Sequence, residues 1–328
     1  MKKSSNLTKQ FFSQIEDRNQ RLDKFISRNL VDYSRAKIQQ WICDGFVSID
    51  DKIVTQSNQK LSSCQKIDIN AEIKPKIIDQ GEPIKLNIVY EDEHILVINK
   101  PNNIVVHPGA GNSNNTILNG LLHYLPEINK IPRAGIVHRL DKNTTGLMVV
   151  AKTLPAQTKL AQDIADRKIN RNYKAIVYGN LISGSTIETQ MGRHLTQRTK
   201  MAVVDENKGK EAITHYRIIK KFRSHTYLNI KLETGRTHQI RVHMQHIGHP
   251  IIGDKTYFGK PRFNKKADVK LNECLQKFDR QALHAFGLQL NHPITNEQLS
   301  WTIPVPQDME NLINLLEEDN NAHNTKME

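Results

Sequence analysis

Between His138 and Leu147 the chain reads His-Arg-Leu-Asp-Lys-Asn-Thr-Thr-Gly-Leu, which sets one carboxylate, Asp141, among cationic and hydroxylated neighbours just ahead of the apolar run Leu147 to Ala151. An aspartate so placed has two uses. Its short side chain can bond to nearby backbone N–H groups and shape a turn. Kept ionised, it is instead a nucleophile or a base. An anion in a water-poor pocket needs a cation or hydrogen-bond donors that oppose its desolvation. A second polar cluster, Thr234-Gly235-Arg236-Thr237-His238-Gln239-Ile240-Arg241-Val242-His243, offers two arginines for that task. His238, His243, His246 and His249 also invite a zinc site, because His243 and His246 can share a helix face. No carboxylate or cysteine stands at a supporting spacing, so no metal is expected. Gly109-Ala110-Gly111 lacks the rest of either common nucleotide-binding pattern and reads as a structural turn. Taken alone, Tyr173 is an ordinary strand aromatic.

Holding these residues together takes strands and helices in irregular order. Ile88-Val89-Tyr90 and Ile95 to Ile98 flank Glu91 to His94 as a hairpin, Pro155 to Ile169 is helical by composition, and Tyr173 to Tyr178 follows as a strand. His215 to Phe222 and Thr226 to Leu232 make a further hairpin. Without a regular β-α-β alternation, the expected class is α+β with a mixed, largely antiparallel sheet. Ahead of this part stands a smaller unit. Leu22, Phe25, Ile26 and Leu30 fall at helical spacing and leave Lys24 and Arg28 on another face. Ser34 is a candidate N-cap for a second helix, Arg35 to Cys43, which carries Arg35 and Lys37 and ends at the turn Asp44-Gly45. Phe46 to Ile49 and Lys52 to Val54 then read as strands around Asp50-Asp51. Residues 1–17 show no convincing periodicity and are expected to be a flexible arm. The organisation expected is an arm to 17, a first domain over 18–75, a Pro/Gly-interrupted linker over 76–85, a large domain over 86–316 and a disordered acidic tail over 317–328.

The chain has 328 residues and 38% hydrophobic content, enough for two domains and at least one good core. Its net charge of +13 and pI near 9.5 suit a polyanionic partner, since lysines and arginines that neutralise phosphates release counterions. Charge alone does not specify RNA. Cys43, Cys64 and Cys274 are odd in number and far apart, which fits neither a disulfide framework nor a structural zinc site and points to a reducing, cytoplasmic setting. Cys43 is expected as a core filler within its helix. The N-terminus lacks the apolar stretch of a signal peptide, and no run is apolar enough to span a bilayer. No interface signature is visible, so a monomer is expected.

The His-Arg-Leu-Asp segment with its small-residue turn, Gly and apolar strand resembles the RluA-type pseudouridine synthases. The resemblance extends through Ile98-Asn99-Lys100-Pro101, His107-Pro108-Gly109-Ala110-Gly111, Pro132-Arg133-Ala134-Gly135, the Gly-Arg-Thr-His-Gln-Ile-Arg run and His249-Pro250-Ile251-Ile252-Gly253-Asp254. Thr145 stands where many relatives carry Ser, which keeps the hydroxyl. Arg21-Leu22-Asp23-Lys24-Phe25 and Ser34-Arg35-Ala36-Lys37-Ile38 resemble the S4 RNA-binding module, a small α/β domain. The family implies a pseudouridine synthase catalytic domain that isomerises uridine to pseudouridine without a cofactor. Its substrate would be large subunit (23S) ribosomal RNA, in the helix 69 stem-loop, met as free RNA or in the assembling large subunit.

Carried over residue by residue, the resemblance makes Asp141 the nucleophile and Arg241 its partner, with Arg236 as the alternative. It makes Tyr173 the stacking floor for a flipped base and a helper in removing the C5 proton, and Arg139 the group that fills the space the nucleotide leaves. A strand would point Arg139 and Asp141 to the same side. Arg236 and His238 would join Arg139 in RNA contact, as would Lys24, Arg28, Arg35 and Lys37 on the S4-like helices. A different class of function, a non-catalytic RNA-binding or ribosome-assembly factor, predicts instead that Asp141 is dispensable.

Overall fold

The computed structural model describes residues 5–30, 33, 35–73, 80–109, 111–197, 199–258 and 268–325. The chain divides into two compact units, Met1–Ile78 and Asp79–Glu328. In the first, β1 (Ser5–Phe12) leads through a short 3-10 turn to α1 (Leu22–Asn29) and α2 (Arg35–Cys43), followed by β2 (Val47–Ile49), β3 (Lys52–Ile53) and β4 (Lys66–Ile73). The sheet order is β1-β4-β2-β3. Helix α1 buries Leu22, Phe25 and Ile26 and leaves Lys24 and Arg28 outside, while α2 buries Ile38, Trp41 and Ile42. Both apolar stripes pack on Val47, Ile49, Ile67 and Ile69 of the sheet. Asp50 and Asp51 both take positive φ, 48° and 65°, the backbone that a tight two-residue hairpin requires.

Two expectations for this unit need correction. Residues 5–12 are not an irregular arm: β1 pairs antiparallel with β4 along its whole length, from Ser5 opposite Ile73 to Phe12 opposite Lys66. Leu7 and Phe11 pack on the core from that strand, which supplies the apolar burial that its polar composition conceals. Cys43 is exposed rather than a core filler, since Ile38, Trp41 and Ile42 already occupy the inner face of α2. The proposed N-cap Ser34 lies outside the described residues, as does most of the first half of the expected linker.

The second unit opens with β5 (Ile88–Glu91), β6 (Ile95–Lys100), α3 (Ile117–Tyr124), β7 (Thr145–Ala151), α4 (Leu154–Ala165) and β8 (Asn170–Tyr178). There follow β9 (Ser185–Arg193), β10 (Met201–Val204), β11 (Lys210–Lys221), β12 (His225–Leu232), α5 (Gln239–His246), α6 (Val269–Lys277), β13 (Leu283–Asn291), β14 (Gln298–Thr302) and α7 (Gln307–Asn324). One sheet runs β10-β9-β11-β12-β8-β13-β7-β6-β5, with β14 paired to β13. Its ladders are antiparallel except β13 with β7, so the α+β class and both expected hairpins are present.

Central strand β7 is buried at all seven positions, as befits a strand covered on both faces. Gly146 has φ of 118°, and a Cβ there would stand 2.2 Å from the carbonyl oxygen of Ala285, so the parallel crossing of β7 and β13 requires a glycine. Helix α4 stops at Ala165, short of Ile169, where Arg167 turns to φ of 60°. The acidic tail is largely helical rather than disordered. Met309, Leu312 and Leu316 bury one stripe of α7, Glu317 pairs with Lys220, and the buried Asp319 accepts a hydrogen bond from the Asp268 backbone N–H. No described helix is long and apolar enough to cross a membrane.

Candidate active site

The segment Val137 to Asn143 has no regular secondary structure, so Arg139 and Asp141 do not lie on a strand. Alternation survives locally, with Leu140 buried between an exposed Arg139 and a half-buried Asp141, and both polar residues line one cavity. Three clamps hold this segment. Thr144 N–H bonds to the Asp141 carbonyl at 3.1 Å, and the buried Thr144 hydroxyl accepts from Gln281 Nε2 at 3.0 Å. Thr145 Oγ1 and His284 Nδ1 share a hydrogen bond of 2.8 Å across the β7 and β13 junction. The wholly buried Lys100 donates from Nζ to the carbonyls of Pro101, Ile104 and Lys142 at 2.8 to 3.0 Å, which ties the end of β6 to the residue after Asp141. Burial brings the Lys100 ammonium down to about 7, against the opposing pull of Asp141.

The second cluster forms a turn locked onto α5. Buried Gln239 accepts from Thr234 Oγ1 at 2.8 Å and from Arg236 N–H at 2.9 Å, and donates to the Ile213 carbonyl and to Thr214 Oγ1. His238, at the N-terminal edge of α5, adopts the left-handed conformation with φ of 58°. Its Nδ1 shares a 2.8 Å hydrogen bond with the Tyr257 hydroxyl, and its Nε2 stands 4.0 Å from Asp141 Oδ1. Burial keeps the imidazole below its ordinary range, partly countered by Asp141.

Arg241 joins the two clusters. Its Nη1 donates to Asp141 Oδ2 at 2.9 Å, while Nε and Nη2 fork onto Asp254 at 2.6 and 2.8 Å. Asp254 is 1% exposed and also accepts from the backbone N–H groups of Thr256 and Tyr257. Burial works against the Arg241 charge, yet the bonds to Asp254 and Asp141 raise its pKa overall. Arg236, the alternative partner, donates its Nε to the Glu211 carbonyl at 2.8 Å and lines the cavity without meeting Asp141. The tight Asp141 contact belongs to Arg241.

The cavity measures about 410 Å³. Leu140, Leu232, Ile240 and Leu283 give it apolar walls, and Tyr173 from β8 is buried against it with Arg171. Burial raises the Tyr173 phenol above its usual range, so the ring is neutral at ordinary pH. Volume and walls suit a single planar base stacked on an aromatic ring. Asp141, Tyr173, Arg139, Arg236, His238 and Arg241 therefore share one cavity.

The four histidines do not converge. His243 is saturated by the hydroxyls of Thr214 and Thr189 at 2.9 and 3.0 Å, and His249 Nδ1 bonds to the Tyr178 carbonyl. In the first unit, exposed Arg28 pairs with Asp17 at 2.7 Å and Arg35 with the buried Asp23 at 2.7 Å. Lys37 lies over the Trp41 ring at 5.5 Å, and Lys24 is exposed.

Asp254, Lys100, Gln281, His284 and Arg171 are site residues whose roles sequence patterns did not single out. For Asp254 and Lys100 a signal existed, since each sits in a motif quoted for the family resemblance. For Gln281 and His284 none did, because they act from a distant strand junction.

Residues 94–246 match the model of the RNA pseudouridylate synthase family, and residues 20–67 match that of the S4 domain. The chain is 50% identical over 315 residues to ribosomal large subunit pseudouridine synthase D of Haemophilus influenzae, covering 96% of this chain and 97% of that protein. It is 50% identical over 309 residues to the protein of the same name from Shigella flexneri, covering 94% of each. The solved structure of human RNA pseudouridylate synthase domain containing 4 superposes with a TM-score of 0.56 at 24% identity, over 70% of this chain and 93% of that one, which shows the shared fold. With identity of this level along nearly the whole of both sequences, the chain belongs to the RNA pseudouridylate synthase family, as an enzyme with an S4 domain ahead of its catalytic unit.

Proposed function

We propose that this enzyme isomerises uridine to pseudouridine in large subunit ribosomal RNA, in the helix 69 stem-loop, with Asp141 as the reacting carboxylate. The RNA class follows the names of its relatives, and the observation that carries the mechanism is the Arg241 bond to Asp141 at 2.9 Å beside a base-sized cavity floored by Tyr173. The reaction breaks the bond between ribose C1′ and uracil N1, turns the ring, joins C5 to C1′, removes the C5 proton and leaves a proton on N1. Nothing is oxidised and no atom is lost, so the side chains have to supply a carboxylate, retention of the cut base and contacts to a nucleotide drawn out of its stack.

Arg241, braced by Asp254, holds the Asp141 carboxylate aimed into the cavity while the site sheds water. Asp141 either adds to C1′ or takes the C2′ proton to give a glycal. Tyr173, as a neutral phenol, serves first as a sequence-tolerant stacking surface on which uracil can rotate. To accept the C5 proton it would have to pass on its own. Arg139 enters the gap left by the flipped nucleotide, and Arg236 and His238 contact the RNA strand at the cavity. In the S4 domain, Lys24, Arg28, Arg35 and Lys37 meet phosphates, and the enzyme works as a cytoplasmic monomer on free rRNA or the assembling subunit.

The test is pseudouridine mapping of large subunit rRNA fragments by carbodiimide labelling and primer extension, with wild type and Asp141→Asn. Modification in the helix 69 loop by wild type alone, with RNA binding retained by the variant, is the expected result. Equal modification by both would remove Asp141 from the chemistry, and binding without modification by either would favour an assembly factor on this RNA.

A further inference from the structure

Three arginines are buried among the described residues: Arg171, Arg241 and Arg280. Two have forked carboxylate partners, Arg241 on Asp254 and Arg280 on Asp308 at 2.5 and 2.7 Å. Arg171 has none. At 6% exposure its one hydrogen bond to a described residue runs from Nη2 to the Glu233 carbonyl at 3.1 Å, and its Nε is buried without a partner. A desolvated guanidinium in that state is costly unless an anion or acceptor arrives. It lies where one can. Arg171 and Tyr173 are buried on the same face of β8, and both line the cavity with Asp141. The guanidinium rests against the polar turn at Gly235, where a Cβ would stand 2.6 Å from Nη1, so the absence of a side chain there makes its room.

We propose that Arg171 is the anion-binding group for the excised base: its guanidinium donates to a carbonyl oxygen of the uracil and offsets the charge the ring carries between cleavage of C1′–N1 and formation of C1′–C5. That charge arises on either route. When the Asp141 carboxylate adds to C1′, the electron pair of C1′–N1 leaves with the ring. When it takes the C2′ proton instead, the same pair leaves as the glycal forms. In both cases the base departs as the uracil anion, with its charge spread over N1 and the carbonyl oxygens. After C5 has bonded to C1′ and lost its proton, N1 takes up a proton and the charge is gone. A donor fixed beside the stacking ring stabilises the species present only mid-reaction, and so acts on rate more than on binding. RNA phosphates are a poorer match for Arg171, which is buried, than for Arg133 and Arg139, which line the same cavity but are exposed.

This inference rests on the proposed assignment of the cavity to the flipped uridine. The experiment compares wild type, Arg171→Gln and Arg171→Lys on a synthetic helix 69 stem-loop carrying uridine or 5-fluorouridine at the reacting position. Fluorine withdraws electrons and makes the departing ring a more stable anion, so its release depends less on a protein donor. Base release is read as loss of the intact nucleoside after nuclease digestion and chromatography.

For Arg171→Gln the single-turnover rate on uridine is expected to fall about 100-fold, as for loss of a donor to a developing anion, with RNA affinity within about twofold of wild type. The deficit should shrink at least about threefold on 5-fluorouridine, and Arg171→Lys should recover part of the uridine rate. Equal deficits on both substrates would assign Arg171 a structural role and overturn the proposal. So would weaker binding with a flatter salt dependence, the signature of a phosphate contact. An active wild type with an unimpaired Arg171→Gln overturns the inference alone, whereas a wild type inactive on the stem-loop overturns the underlying site reading as well.

Discussion

In the proposed mechanism Arg241 does two things at once: it neutralises the buried Asp254 and aims Asp141. The forked bond to Asp254 fixes the guanidinium plane and leaves Nη1 directed at Asp141. Asp254→Asn should therefore act at a distance from the reacting atoms. Breaking a buried pair by removing one charge costs roughly 3 kcal/mol or more, and the single-turnover rate should drop about tenfold or more as Arg241 loses its brace. Denaturant midpoints and single-turnover kinetics on the same RNA check both, and RNA affinity should hold. A variant with wild-type rate would show that Asp141 needs no braced partner. Asp141 was singled out by the family resemblance, because by itself a carboxylate ahead of a small-residue turn reads equally as a turn residue. Arg241 was placed ahead of Arg236 by the family resemblance alone, since residue spacing does not show where α5 begins or that an aspartate 113 residues beyond Asp141 braces it. Lys100 reads as a solvated lysine in isolation, and only the three converging carbonyls explain its burial.

Two histidines lock elements rather than substrates: His243 fastens α5 to the sheet through Thr214 and Thr189, and His284 fastens β13 to β7 through Thr145. Burial brings each imidazole down to about 4. In the unfolded chain the same groups take protons near 6.5. Between those values the unfolded state binds more protons, so stability is full above about pH 6.5 and falls as the pH drops towards 4. At pH 5 the loss is on the order of 2 kcal/mol for each histidine. Denaturant midpoints at pH 7.5 and pH 5 should show this decline, and His284→Gln should show a smaller one; an equal decline would mean that His284 does not contribute to it. Hairpins and buried helix stripes at this scale were readable from periodicity. Strand β1 was not, because its polar residues mask Leu7 and Phe11, nor was α7, whose acidic end distracts from the stripe Met309, Leu312, Leu316.

At the scale of the whole molecule the +13 charge is divided between a catalytic unit that makes its own site and an S4 unit with its own core. Removing residues 1–78 should leave the catalytic unit folded while weakening RNA binding. It should also flatten the slope of log affinity against log salt by about 0.7 to 0.9 for each phosphate that the shortened protein no longer neutralises. Unchanged affinity and slope would deny the S4 unit that role. The order of synthesis adds another constraint. Asp141 is made before the middle of the chain, but its segment is clamped by Gln281 and His284, and its sheet closes only when β13 lies beside β7. A chain still emerging from the ribosome thus carries the carboxylate long before it can hold it, and pairings of this sequence separation form late and slowly. If Asp141 is the reacting carboxylate, as proposed, the enzyme is in effect born inert, and competence arrives with its last quarter.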